Sequence, residues 1–271
     1  MNTPVTRNND LLPSLTEPHR LDGKVVYVAG GTGGLGEAIA WGLAAIGARV
    51  VIGGIETDKT ASVVAALRSK GHDAEGIVFD ATSVADIGRS VDGVYDFYGG
   101  CDVLVNCVGI FKEEAILDVT EATFDQVLSV NLKSAMFLGQ AMARRQVTAR
   151  SSGKHVHLLS VRSMLGLRNK GYSAYCSSKG GLLMLVRQHA SELAPHGIRV
   201  NGVAPTFVMT EMIGHVLEDP EFQRNVVGRI PLGRIAEPRD IVGPVQFFCT
   251  QASDFVTGQV LYVDGGLTAC Q

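Results

Sequence analysis

Lys24-Val-Val-Tyr-Val-Ala29 runs without a break into Gly30-Gly-Thr-Gly-Gly-Leu-Gly36. The first half is apolar with no alternation, the pattern of a strand buried on both faces of a parallel sheet. A helical pattern follows, with Ile39, Leu43 and Ile46 apolar and Gly47 as its stop. Strand, glycine turn, helix is the setting in which glycines mark a phosphate site. The missing side chains let backbone approach a pyrophosphate, and the helix N-terminus turns unpaired N–H groups toward it. The stretch therefore predicts a dinucleotide site built from Gly30, Thr32, Gly33, Gly34, Leu35 and Gly36.

The same alternation continues outward. Arg49-Val-Val-Ile-Gly-Gly-Ile55 reads as a second strand and 57–70 as a helix capped by Thr57 or Asp58. A ribose-binding carboxylate is expected about 20 residues after the glycines. Gly54 and Ile55 stand there instead, with neither a carboxylate nor an arginine for a 2′-phosphate. Glu56 and Asp58 lie just beyond and would repel a phosphate, which leans toward NAD over NADP; Lys59 argues the other way. Ala74-Glu-Gly-Ile-Val-Phe79 is a third strand ending at Asp80-Ala81-Thr82. There a carboxylate would accept the adenine amino group, cap the next helix, 84–98, or do both. Asp102-Val-Leu-Val105 is a fourth strand, followed by Asn106-Cys-Val-Gly109.

Residues 121–145 carry an amphipathic helical pattern interrupted by Asn131. Asparagine is a poor helix former, so this position is either a surface residue or a kink whose freed backbone and side chain hold water. A fifth strand, Lys154-His-Val-His-Leu-Leu159, delivers Ser160 to the edge where parallel sheets bind ligands. His155 and His157 share a strand face and, with no third ligand in view, read as structural; no metal site is expected. Arg199-Val-Asn-Gly-Val-Ala204 is a sixth strand, 237–250 a helix, and Gln259-Val-Leu-Tyr-Val263 the last strand. Between them, 205–234 lacks clear periodicity and reads as a substrate lid. The fold class is α/β: one doubly wound, Rossmann-type domain over 21–271, a parallel sheet of about seven strands with helices on both faces, preceded by a flexible extension over 1–20.

Bulk properties narrow the function. The 271 residues are 46% hydrophobic and carry a net charge of −3. No basic field points to nucleic acid, and no apolar run reaches the ~18 residues of a membrane span. Five cysteines, odd in number and without metal-ligand spacing, suit a reducing cytoplasm.

One further stretch carries chemistry: Tyr175-Cys-Ser-Ser-Lys179. On a helix the first and last residues share a face. A phenol titrates near ~10, too high to accept a proton at neutrality, and a neighbouring cation lowers that value. Such a pair exchanges a proton with an alcohol or a carbonyl.

Taken together these motifs resemble the short-chain dehydrogenase/reductase family from Leu21 to Thr268. Ala29-Gly30-Gly-Thr-Gly-Gly34-Leu-Gly36 is similar to its cofactor motif, with Ala29 in place of a threonine. Asn106-Cys-Val-Gly109 keeps the outer residues of its Asn-Asn-Ala-Gly, and Val130-Asn131-Leu132 fits the segment with its active-site asparagine. Pro205-Thr206 stands where the family has Pro-Gly. The resemblance implies catalytic roles for Asn131, Ser160, Tyr175 and Lys179. Asn106, Gly109, Pro205, Thr206 and Val208 would join the cofactor site with Tyr175 and Lys179. Ser160 and Ser163 both qualify as the serine; strand register favours Ser160. The implied activity is NAD- or NADP-dependent interconversion of a secondary alcohol and a ketone, on a polyol, sugar acid or similar hydroxy compound. Arg162 and Arg168 either meet a carboxylate or are solvated loop residues. The alternatives are an NADPH-dependent 3-oxoacyl thioester reductase and a nucleotide-sensing protein without turnover. A cytoplasmic homotetramer or homodimer is also implied.

Overall fold

The computed structural model describes residues 19–210 and 220–270. The centre of the expected lid (211–219) and all but two residues of the expected extension lie outside them. Seven parallel strands form one sheet in the order β3-β2-β1-β4-β5-β6-β7: β1 Val25–Ala29, β2 Arg49–Gly54, β3 Ala74–Val78, β4 Val103–Asn106, β5 Gly153–Leu158, β6 Ile198–Pro205 and β7 Val260–Val263. The order reverses at β1, so the C-terminal ends of β1 and β4 open a crevice between diverging connections.

Each face is covered by helices. On one lie α1 (Gly34–Ala45), α2 (Thr57–Ser69) and α8 (Pro238–Cys249), burying Ile39, Leu43, Leu67, Ile241 and Val245 against Val26, Val28, Val50 and Ile52. On the other lie α3 (Val84–Tyr98), α5 (Ser134–Thr148) and α6 (Ser173–Leu193), packed on Tyr27, Val51, Leu104 and Val200. Successive β1 residues thus serve opposite cores, which is why the run shows no polar alternation. Each fully buried Leu or Ile contributes about 1.5–3 kcal/mol.

Two local expectations are corrected, and the expected lid gains an element. The cap of α2 is Glu56, in extended backbone and without a side-chain cap bond, rather than Thr57 or Asp58. Asp80 does not cap α3. Its carboxylate accepts from the Thr82 N–H at 2.8 Å and the Thr82 hydroxyl at 2.7 Å, while the Ser83 hydroxyl accepts from Asp86 N and forms the cap. Inside 205–234, Pro220–Val227 is a helix, α7, and Val226 packs with Ile230, Ile235 and Leu267. Among the described residues no helix is long and apolar enough to cross a membrane.

Candidate active site

The glycine turn is constrained by contacts. Gly30 has φ of 80°, and a Cβ on it would meet the Cys107 carbonyl carbon at 2.8 Å. A Cβ on Gly36 would sit 2.0 Å from the Gly30 carbonyl oxygen. Glycine at both places lets α1 start tight against the ends of β1 and β4, leaving its first N–H groups facing the crevice.

That crevice is a groove of about 690 Å³. Gly30, Thr32, Gly33, Gly34, Leu35, Gly36, Gly54, Ile55, Asp80, Ala81, Gly109, Tyr175 and Lys179 all line it. The glycine-rich turn, the helix N-terminus and the volume of the groove fit a dinucleotide. A second, smaller cleft of about 170 Å³ adjoins it, lined by Ser160, Arg162, Tyr172, Tyr175 and Thr206 among others. Tyr175 borders both spaces. Pro205, Thr206 and Val208 line this cleft rather than the groove. Asn106 lines neither: buried, it accepts from Val108 N at 3.0 Å through Oδ1, and its amide lies 3.3 Å from His157 Nδ1. It turns the chain at the end of β4.

Tyr175 and Lys179 lie one turn apart on α6. The Lys179 ammonium is buried, donates to the Leu158 carbonyl at 2.8 Å and stands 5.8 Å from the centre of the Tyr175 ring. Burial pulls its pKa from 10.5 down to about 8, with Cys107 acting the other way. Burial raises the Tyr175 phenol above its ordinary value, and the hydrogen bond donated by the Ser160 hydroxyl lowers it. The sequence reading joins Lys179 to a cationic nicotinamide in lowering the phenol; in the chain by itself the phenol is raised. Desolvation, invisible in the four-residue spacing, is the larger effect on both groups.

The two serines separate. Ser160 faces the cleft and bonds Tyr175. Ser163 turns away, donating to the Ser160 carbonyl at 2.8 Å and lying 3.1 Å from the Tyr262 hydroxyl. Ser160 is the serine positioned beside the phenol.

Asn131 sits in a π-helical turn, Ser129–Lys133, between α4 (Glu121–Leu128) and α5. The expected kink is present. Its side chain is held by protein groups. Oδ1 accepts from Ile110 N at 2.8 Å, and Nδ2 donates to Ile110 O at 2.9 Å and Ser178 Oγ at 3.0 Å. Both amide hydrogens are used within the protein. Asn131 thus clamps the loop after β4 onto α6. Gly109 lies in the gap, where a Cβ would be 3.5 Å from Asn131 Oδ1 and 3.6 Å from Lys179 Nζ.

Aromatic walls went unforeseen. Phe111 packs edge-on against Tyr172, with centroids at 4.6 Å, and against Tyr175 at 5.3 Å. Both partners come from loops or a helix start, where no periodicity announces a contact. His155 and His157 are fully buried, as a structural role requires, and burial drives their pKa values down, His155 to about 3.

A family model described as Enoyl-(Acyl carrier protein) reductase matches residues 29–268. The chain is 34% identical over 247 residues to 5-keto-D-gluconate 5-reductase of Escherichia coli K12, covering 91% of this chain and 96% of that protein. The chain belongs to the short-chain dehydrogenase/reductase family. It is 33% identical over 249 residues to a 3-oxoacyl-[acyl-carrier-protein] reductase of Aquifex aeolicus, covering 92% of this chain and 98% of that one. Among solved structures, a gluconate 5-dehydrogenase from Burkholderia cenocepacia in complex with NADP and tartrate superposes with a TM-score of 0.90. The two are 32% identical over 94% of this chain and 99% of that one. This short-chain dehydrogenase/reductase is an NAD(P)-dependent oxidoreductase acting between CH–OH and C=O, not a sensor without turnover.

Proposed function

We propose that the chain interconverts a secondary alcohol and a ketone on a small polyhydroxy compound, a sugar acid or polyol. One observation carries this: Tyr175 is shared between a dinucleotide-sized groove and a small adjoining cleft. A proton donor at that border meets whatever carbon faces the cofactor.

The bound nicotinamide supplies or accepts the hydride; the rest falls to the chain. Ser160 holds the substrate oxygen. Tyr175 gives the proton to a ketone or takes it from an alcohol. With its pKa raised, the phenol stands protonated at neutrality, ready to donate to a ketone; the reverse reaction needs added positive field. Lys179 holds the nicotinamide ribose. Asn131 keeps the loop after β4 and α6 in register, and with them Gly109 and Lys179. Gly30 to Gly36 hold the pyrophosphate, and Asp80 and Ala81 the adenine.

The lean to NAD finds no support. Glu56 accepts from Lys59 at 2.8 Å, so a carboxylate and an ammonium stand side by side beyond Gly54. The first suits ribose hydroxyls and the second a 2′-phosphate, and we assign the cofactor as NAD(P). A 3-oxoacyl thioester is the second substrate class, supported by the Aquifex relative. We further propose that 21–271 acts as one catalytic unit with 205–234 over the substrate cleft. Five free cysteines support a cytoplasmic setting. The exposed Phe124, Val147 and Met184 on α4, α5 and α6 support assembly into a homodimer or homotetramer.

The test is Tyr175→Phe. Turnover over a panel of polyols, sugar acids and oxoacyl esters falls by about 10²-fold or more, while NADPH affinity, read by fluorescence, stays within about twofold. Unaltered turnover refutes the assignment.

A further inference from the structure

Among the described residues Arg162 is the one charged side chain lining the small cleft, and its environment is unusual. It follows Ser160 by two residues in the short turn Val161–Ser163, and its N–H donates to the Ser160 hydroxyl oxygen at 3.1 Å. The residue is 4% exposed. Nη1 donates to the Gly166 carbonyl at 2.8 Å and, more loosely, to the Leu165 carbonyl at 3.4 Å. Nη2 is buried and has no hydrogen-bond partner among the described residues. Among the described residues no carboxylate pairs with the guanidinium, and the charge that acts on it most strongly is another cation, Arg229. Arg168, the other arginine of the loop, is exposed and lines neither space.

Bracing the loop does not explain this arrangement. Two carbonyl acceptors need two donors and no charge. A buried cation without a counter-ion costs several kcal/mol, and an orphaned buried donor about 1–3 kcal/mol more. A second orphan belongs to a residue of the same cleft: the Thr206 hydroxyl, buried and without a partner among the described residues. A cation and a hydroxyl, both unsatisfied and lining one cavity with Ser160 and Tyr175, are satisfied together by a ligand that is anionic at one end and polar beyond it. A guanidinium matches a carboxylate in shape as well as charge.

We propose that Arg162 is the anion anchor of the substrate cleft: its free Nη2 binds the carboxylate of a hydroxy or oxo acid, with Thr206 bonding the same molecule. This rests on the cleft being the substrate site, and it narrows the substrate class from polyol or acid to acid. It also weighs against the thioester, whose acyl carbonyl carries no charge to offset the guanidinium. Arg162 is a specificity residue here; Ser160 and Tyr175 perform the proton chemistry on acid and neutral compounds alike.

The experiment pairs acids with neutral counterparts of the same length: D-gluconate with D-glucitol, and tartrate with threitol. Binding to the enzyme–NADP complex is measured by calorimetry, and turnover where it occurs. The wild type binds the acid of at least one pair more tightly than its polyol. Arg162→Met weakens acid binding about 10- to 100-fold, the range for a charge-assisted hydrogen bond, and shifts the polyol by less than about threefold. Arg162→Lys recovers part of the acid affinity. Melting temperature and NADPH affinity show whether each variant is folded. If Arg162→Met is unfolded, the lysine variant and Thr206→Val carry the comparison: each narrows the gap between acid and polyol. Equal losses on acid and polyol make Arg162 a loop brace only and overturn the proposal, as does a wild type with no preference for either acid. Failure of the underlying function looks different: no dehydrogenation or reduction of any compound, with Arg162-dependent acid binding intact.

Discussion

Lys179 offers a test of the site's electrostatics that needs no substrate. Burial lowers the ammonium from 10.5 to about 8. Between those values the unfolded chain holds more protons than the folded one, so this group makes stability rise with pH. Below about pH 8 the folded protein carries a desolvated charge and bears the whole penalty. Above that it sheds the proton and the penalty fades. Integrating the two titrations from about pH 7.5 to about pH 9.5 gives roughly 2 kcal/mol of relative gain. The Cys107 thiol beside it, pushed up to about 12 by burial, stays neutral over that range. The perturbation is Lys179→Met, which keeps the stem and removes the titrating group. Urea unfolding of cofactor-free wild type and variant at several pH values is the assay, and the measured quantity is their difference. Other phenols and thiols titrate in both proteins and cancel. Wild type gains about 2 kcal/mol on the variant across the window. Parallel curves would mean that the ammonium is solvated and that the burial argument for both Lys179 and Tyr175 is wrong.

Two further outcomes follow from the geometry. Ser160→Ala lowers turnover by about 10²-fold or more, as loss of a donor to the reacting oxygen does, and Ser163→Ala stays within about threefold; the reverse order in steady-state kinetics would transfer the role to Ser163. Gly36→Ala places a Cβ against the Gly30 carbonyl oxygen, where 2.0 Å is available, and so forces the glycine turn away from α1. NADPH affinity falls by about tenfold or more and the melting temperature drops, whereas unchanged affinity would show that the turn does not hold the pyrophosphate.

What was legible in the sequence follows from which forces leave a periodic trace. A strand buried on both faces needs apolar residues throughout, so Val25–Ala29 declares itself. A helix pressed against its end needs glycine at 30 and 36, because any Cβ collides with backbone. Tyr175 and Lys179 meet by helical spacing alone. By contrast, α7 lies within a stretch of mixed character and packs mostly through Val226 and its neighbours, too few residues to impose a pattern on the sequence around it. The cap of α2 was misplaced for a related reason: threonine and aspartate are good caps, yet backbone geometry alone puts Glu56 there.

The site was legible as a roster of residues but not as an electrostatic object. Spacing places the Lys179 ammonium near the Tyr175 phenol, and from proximity alone the cation should lower the phenol's pKa. Proximity and burial act in opposite directions on that pair, and only coordinates reveal how much water each group has lost. Asn131 shows the same limit. A poor helix former in mid-helix announces a break, yet whether its amide holds water or clamps a loop depends on Ile110 and Ser178, 21 and 47 residues away. Arg162 is the sharpest case. In sequence it is one of two loop arginines with nothing to separate them. In the fold Arg168 remains in solvent, while Arg162 is enclosed with a donor that no described residue satisfies and a second cation nearby. An unfilled requirement of this kind belongs to no single residue type or spacing. It arises where a buried charge meets a cavity and no described residue supplies the counter-charge.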